Sequence, residues 1–91
     1  MLLHLGEDEM VLLKDIVAII NLEQDYIPKY TQEFLEIVEE KGLIKRISQN
    51  PKSFVLTEID HKFFIYYSPI SSSTLLKRMG FIDRLSQEEL I

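Results

Sequence analysis

The chain has 91 residues, 46% hydrophobic and 27% charged, the balance of one globular domain, which excludes a disordered tail or a collagen-like repeat. Ten Lys and Arg stand against fifteen Asp and Glu for a formal charge of -5, which works against indiscriminate binding to nucleic acid or anionic membrane. With no Cys there is no disulfide framework, thiolate zinc site or cysteine nucleophile.

A domain this small buries about two thirds of its unfolded surface and keeps little surplus stability, so self-association is expected. No apolar run nears the roughly 18 residues of a membrane span. The opening MLLHLGEDEM lacks the basic start of a signal peptide, and a cytoplasmic protein is expected. Charge is uneven: residues 1–40 hold 10 acids and 2 bases (net -8), residues 41–91 hold 5 acids and 8 bases (net +3).

In chain order, Leu2 to Leu5, the turn-like Gly6-Glu7-Asp8, and Met10 to Leu13 predict a hairpin. Ile16 to Ile20 (IVAII) is β-branched and nearly unbroken, which fits a strand buried on both faces, with Lys14-Asp15 as its polar entry. Ile27, Tyr30, Phe34, Ile37 and Val38 recur at helical spacing and predict an amphipathic helix over about 28–41. Asp25 is its expected N-cap, Pro28 fits its first turn, and Gly42 is expected in the left-handed position after its last turn. Glu33, Glu36, Glu39 and Glu40 with Lys29 make the opposite, solvated side.

The period then changes. Leu43 to Ile47 reads as a strand, Ser48-Gln49-Asn50-Pro51 as turn material, and Phe54 to Glu58 as the partner strand of a second hairpin. Asp60-His61 marks a tight turn before the strand Phe63 to Tyr67, which completes a meander. Ser71, Ser72 and Ser73 cap a C-terminal helix over about 72–79 with Leu75, Leu76 and Met79 on its apolar side. Residues 81–91, with Phe81, Ile82, Leu85, Leu90 and Ile91, read as a flexible or interface-packing tail. The expected order is β-β-β-α-β-β-β-α, a single α+β domain over 1–91 with a small, mainly antiparallel sheet.

Catalytic signals are absent. His4 and His61 have no second ligand at helical spacing, Asp60-His61 reads as a turn, and the serine run has no neighbouring base. The three glycines form no phosphate-cradling loop. No catalytic residue, metal or cofactor is expected. The basic residues are more suggestive. Lys45 and Arg46 enter the Ser48–Pro51 turn and Lys52 leaves it, so several copies in a symmetric oligomer would present a ring of cations to phosphates. The plainer reading is that these cations protect edge strands from pairing with other chains. Lys77-Arg78 complements a helix C-terminus, and Tyr66 and Tyr67 belong to core or interface. Leu2, Leu3, Tyr66, Ile82, Leu85 and Leu90 are the expected interface stock.

Several blocks, in this order and spacing, resemble the bacterial extracellular-matrix (biofilm) regulator family, in its RemB branch, the paralogue of RemA. They are His4-Leu5-Gly6, Asp15-Ile16-Val17 with the aliphatic strand, Asn50-Pro51-Lys52-Ser53, and Tyr66-Tyr67-Ser68-Pro69 with Ser71 to Arg78. The resemblance implies a non-enzymatic, cytoplasmic transcriptional regulator of matrix genes that assembles into rings and binds double-stranded DNA. Where the RemA branch carries Gly-Arg-Arg-Thr-Arg, this chain reads Gln49-Asn50-Pro51-Lys52-Ser53, and Lys14 beside Asp15 stands in for an arginine. The expected backbone contacts are Lys45, Arg46 and Lys52, with Lys14 and Arg78 as lesser candidates. The competing expectation is an acidic oligomeric interaction module without DNA binding, assembling with a basic paralogue through complementary charge.

Overall fold

The computed structural model describes residues 1–80, so the expected role of 81–91 lies outside the described residues. The elements follow the expected order: β1 Leu2–Gly6, β2 Glu9–Leu12, a 3-10 turn Leu13–Asp15, β3 Ile16–Asn21, α1 Lys29–Lys41, β4 Leu43–Arg46, β5 Ser53–Ile59, β6 Lys62–Ser68, and α2 over 72–80. β1 and β2 form an antiparallel hairpin, and the other strands form a four-stranded sheet in the order β3-β5-β6-β4. The fold class is α+β, as expected.

The β1–β2 hairpin closes tightly because two of its residues take left-handed backbone, Gly6 at φ 124° and Glu7 at φ 49°. Glycine is required at position 6 for a second reason: a Cβ there would lie 2.9 Å from the ring of Pro69. The hairpin is fastened to the sheet by the Ser68 hydroxyl, which donates to the Leu5 carbonyl at 2.5 Å. Leu3, Leu5 and Val11 then pack with Val55 and Leu75 as one core cluster. The Ser71 hydroxyl accepts the Thr74 backbone N–H at 3.2 Å, so the serine run caps α2 as its composition predicts.

On the other face of the sheet, Phe54, Leu56, Ile65 and Tyr67 pack with Val38 of α1, flanked by Leu35, Ala18 and Ile20. The sheet is thus covered on one side by the hairpin and α2 and on the other by α1. Alternation along each strand assigns the faces: Phe54 and Leu56 point to α1, and Val55 points to the hairpin. The buried hydroxyls of Ser53 and Thr57 donate to the Ile70 and Phe64 carbonyls at 2.8 and 3.0 Å.

Four expectations about local structure change. First, Leu43–Ile47 and Phe54–Glu58 do not form a hairpin. β5 pairs with β6 through the two-residue Asp60-His61 turn, both residues left-handed at φ 51° and 66°. β4 lies on the far side of β6 and runs parallel to it, because α1 carries the chain across the sheet from one edge to the other. Second, β3 is an edge strand. Its side chains are half-covered on both faces, but the register shifts between Ile16 and Ala18 and Val17 is left exposed, an irregularity that blunts a free edge.

Third, Asp25 does not cap α1. Pro28 holds the N-cap position in extended backbone, with no side-chain cap bond, while the Gln32 amide donates to the Ile27 carbonyl at 2.7 Å. Fourth, Gly42 is extended (φ -105°, ψ 168°), not left-handed. Its need for glycine is spatial: a Cβ would meet the Val38 carbonyl at 2.9 Å and Ile65 Cδ1 at 3.0 Å. The close approach lets α1 pass into β4 through a single residue.

Candidate nucleic-acid interface

The cations singled out by the sequence do not form one cluster. On β4, Lys45 pairs in register with Tyr66 and Arg46 with Tyr67, so adjacent side chains leave opposite faces of the sheet. Lys45 faces the hairpin side, where its ammonium makes an ion pair with Glu9 of β2. The hydrogen bond and charge of Glu9 hold Lys45 above its ordinary 10.5. Burial, and then the charge of Glu9, raise the neighbouring Tyr66 phenol above its ordinary 10.0.

Arg46 faces the α1 side. Its guanidinium lies 4.3 Å from the Tyr67 ring centroid, a cation–π stack. Tyr67 is itself fixed: its hydroxyl donates to the Glu39 carboxylate of α1, and its ring meets Phe54 edge-on at 5.4 Å and 82°. Lys52 lies exposed just before β5, its backbone N–H donating to the Ser68 carbonyl at 2.8 Å and its own carbonyl accepting the Leu22 N–H at 3.0 Å. Arg46 and Lys52 therefore lie toward the same end of the sheet, on strands separated by β6. Lys14 is exposed in the 3-10 turn. Arg78 reaches the His4 carbonyl at 3.4 Å, beside a groove of about 520 Å³ lined by Leu2, Leu3, Met10 and Leu13.

One basic grouping escaped the sequence reading. Lys41, His61 and Lys62 line a groove of about 510 Å³ with Leu43 and Phe63. The β4–β6 parallel register, Leu43 opposite Phe64, brings them together. Nothing in linear spacing announces this, because the segments are twenty residues apart. Glu58 offsets part of the charge, its carboxylate 4.0 Å from His61 Nδ1. His4 serves the hairpin, its ring 2.6 Å from the Glu7 carbonyl.

Open apolar surface lies at both edges of the sheet, and also on the hairpin at Leu2, Met10 and Leu12 and on α2 at Leu76. α1 seats Val38 and Leu35 on the sheet but leaves Tyr30, Phe34 and Ile37 at 86%, 39% and 53% exposure. The helix is therefore turned relative to the predicted stripe: Val38 of that stripe is buried, Tyr30, Phe34 and Ile37 face outward, and Glu39 of the expected solvated side lies against Tyr67 beside Leu35. Tyr30 and Phe34 border a groove of about 430 Å³ with Ile19, Ile20 and Pro28 at the β3 edge. At the opposite edge, all four residues of β4 are exposed, including Leu43 and Ile44. Of the expected interface residues, Leu2 is open, Leu3 is buried core, and Tyr66 packs against the hairpin cluster. Ile82, Leu85 and Leu90 lie outside the described residues.

Among the described residues no helix is long and apolar enough to cross a membrane. No solved structure matches the chain significantly. The chain is 40% identical over 82 residues to extracellular matrix regulatory protein B of Bacillus subtilis (strain 168), covering 90% of this chain and 94% of that protein. Residues 2–79 match the RemA-like family, described as extracellular matrix regulatory protein A-like. With the match spanning both sheets and both helices, the chain belongs to the extracellular matrix regulatory protein A-like family.

Proposed function

We propose that this protein is a non-enzymatic cytoplasmic regulator of extracellular-matrix genes that acts as a ring-shaped homo-oligomer bound to DNA backbone. The observation that carries the reading is family membership over residues 2–79, together with a relative whose name denotes matrix regulation. The assembly is supported by open apolar surface on opposite edges of one sheet, Tyr30 and Phe34 beside β3 and Leu43 and Ile44 on β4. Two different surfaces meeting copy to copy make a head-to-tail contact, and a head-to-tail contact closes into a ring when its rotation divides the circle.

In such a ring each copy contributes the same cations at a fixed repeat, so weak single contacts add along the phosphate backbone. Arg46 and Lys52 at one end of the sheet are the leading contacts, followed by Lys45, Lys14 and Arg78. Readout is indirect, through DNA shape and deformability, because a circumferential set of cations meets phosphates and not base edges. The test is binding of a duplex of roughly 30 base pairs by wild-type protein and by the Lys45, Arg46, Lys52 triple-alanine variant. Affinity lost in the variant supports the assignment, and unchanged affinity overturns it.

A second reading is an acidic interaction module that assembles with a basic paralogue. It is favoured by the engagement of Lys45 with Glu9 and of Arg46 with Tyr67. Failure to bind any duplex at low salt, with co-purification of a basic partner, selects it over the first.

A further inference from the structure

We propose that Glu9 sets the DNA affinity of this protein by occupying Lys45 in the place of a phosphate. The inference rests on the DNA-binding reading above and concerns Lys45, the candidate contact on the hairpin side of β4. Glu9 sits on β2, opposite Gly6 where the hairpin register shifts, and its carboxylate is ion-paired with the ammonium of Lys45 on β4. These strands belong to different sheets. The pair is therefore a tertiary contact that the fold of the hairpin over the sheet creates.

The geometry favours competition over simple stabilisation. The Lys45 side chain keeps 60% of its surface open to solvent while Glu9 keeps 25%, so the carboxylate is the anchored member and the ammonium the accessible one. The charge of Glu7, at the hairpin turn, acts on Lys45 in the same direction. A phosphate approaching β4 meets an ammonium already satisfied by an anion, and must displace Glu9 against the repulsion of Glu7. Arg46 is held by an aromatic face, which leaves its charge in place. Among the cations of β4, Lys45 alone is neutralised by a carboxylate in an ion pair among the described residues.

Removing Glu9 should release one cation per subunit. Exposed ion pairs of this kind shift an equilibrium by about twofold to fivefold, and each freed cation that meets a phosphate steepens the dependence of log K on log salt by about 0.9. The experiment measures binding of a duplex of roughly 30 base pairs from about 50 to 300 mM salt with four proteins: wild type, E9Q, D8N and E9Q/K45A. D8N removes the same unit of charge from the exposed turn without touching Lys45. The expected result is that E9Q binds about twofold to fivefold more tightly per engaged subunit with a steeper salt slope. D8N should gain less and keep the wild-type slope, and K45A should cancel the E9Q gain. Equal gains from E9Q and D8N would show a general charge effect and overturn the proposal, as would wild-type affinity in E9Q. Absence of binding by every variant at 50 mM salt overturns the DNA reading itself, and the proposal with it.

Discussion

The apolar margin of α1 that the sheet leaves open is the most direct handle on assembly. Tyr30, Phe34 and Ile37 retain 86%, 39% and 53% of their surface, together nearly two whole large side chains. Covering them is worth about 3–5 kcal/mol per contact at roughly 1.5–3 kcal/mol for each fully buried side chain. That is a large share of what a head-to-tail interface needs to hold at micromolar concentration, where about 8 kcal/mol is required in total. Replacing Phe34 and Ile37 by Ser removes about half of it, since Tyr30 remains. Both are surface positions in the monomer, so the subunit fold should survive, with an unchanged far-ultraviolet circular dichroism spectrum and a small shift in melting temperature. Light scattering across a concentration series should show a wild-type mass well above 10.7 kDa and a variant shifted toward it. A variant that keeps the full wild-type mass at every concentration would refute the assignment of this surface to the interface.

Gly42→Ala should cost about 1–3 kcal/mol in urea unfolding, because the new methyl meets the Val38 carbonyl and buried Ile65 and neither can yield; an unchanged midpoint would contradict the close-approach reading. Phe54→Ala, at a fully buried ring against Tyr67, should cost about 3–5 kcal/mol in the same assay. His61→Gly relieves a left-handed backbone and should raise stability by about 0.5–1 kcal/mol, seen as a higher melting temperature. Lys45 and Tyr66 both hold their protons more tightly folded than unfolded, so the stability they lend is complete below their ordinary values of 10.5 and 10.0 and is lost as pH rises through the higher folded values. Thermal unfolding should therefore be flat in these groups through neutral pH and fall in strong alkali, and Tyr66→Phe should remove part of that fall.

The sequence made the type and order of the described strands and α-helices legible, though not the 3-10 turn Leu13–Asp15, because each carries a local signal: helical spacing from Ile27 to Val38, β-branched and aromatic runs in the strands, hydroxyls before α2. What it concealed was non-local. Whether β4 pairs with β5 or with β6 depends on α1 crossing the sheet, and no property of Leu43 to Arg46 records that. The same ambiguity scattered the candidate site. Read as hairpin neighbours, Lys45, Arg46 and Lys52 form a cluster; with Lys45 and Arg46 on an edge strand and Lys52 across the intervening β6, they are dispersed, Lys45 and Arg46 on opposite faces. The ion pair with Glu9 and the stack on Tyr67 join residues 36 and 21 positions apart, and neither spacing has a sequence signature. Gly42 reads from the sequence as a left-handed helix end, whereas its backbone is extended and its need for glycine comes from close contact.

The central claim is a homo-oligomer that holds DNA by its backbone, and one measurement addresses both halves. Native mass by light scattering, alone and with a roughly 30-base-pair duplex at about 50 and 300 mM salt, should show a discrete multi-subunit particle that gains the mass of DNA at low salt and releases it at high salt. A particle that ignores DNA at both salts, or a monomer, contradicts it.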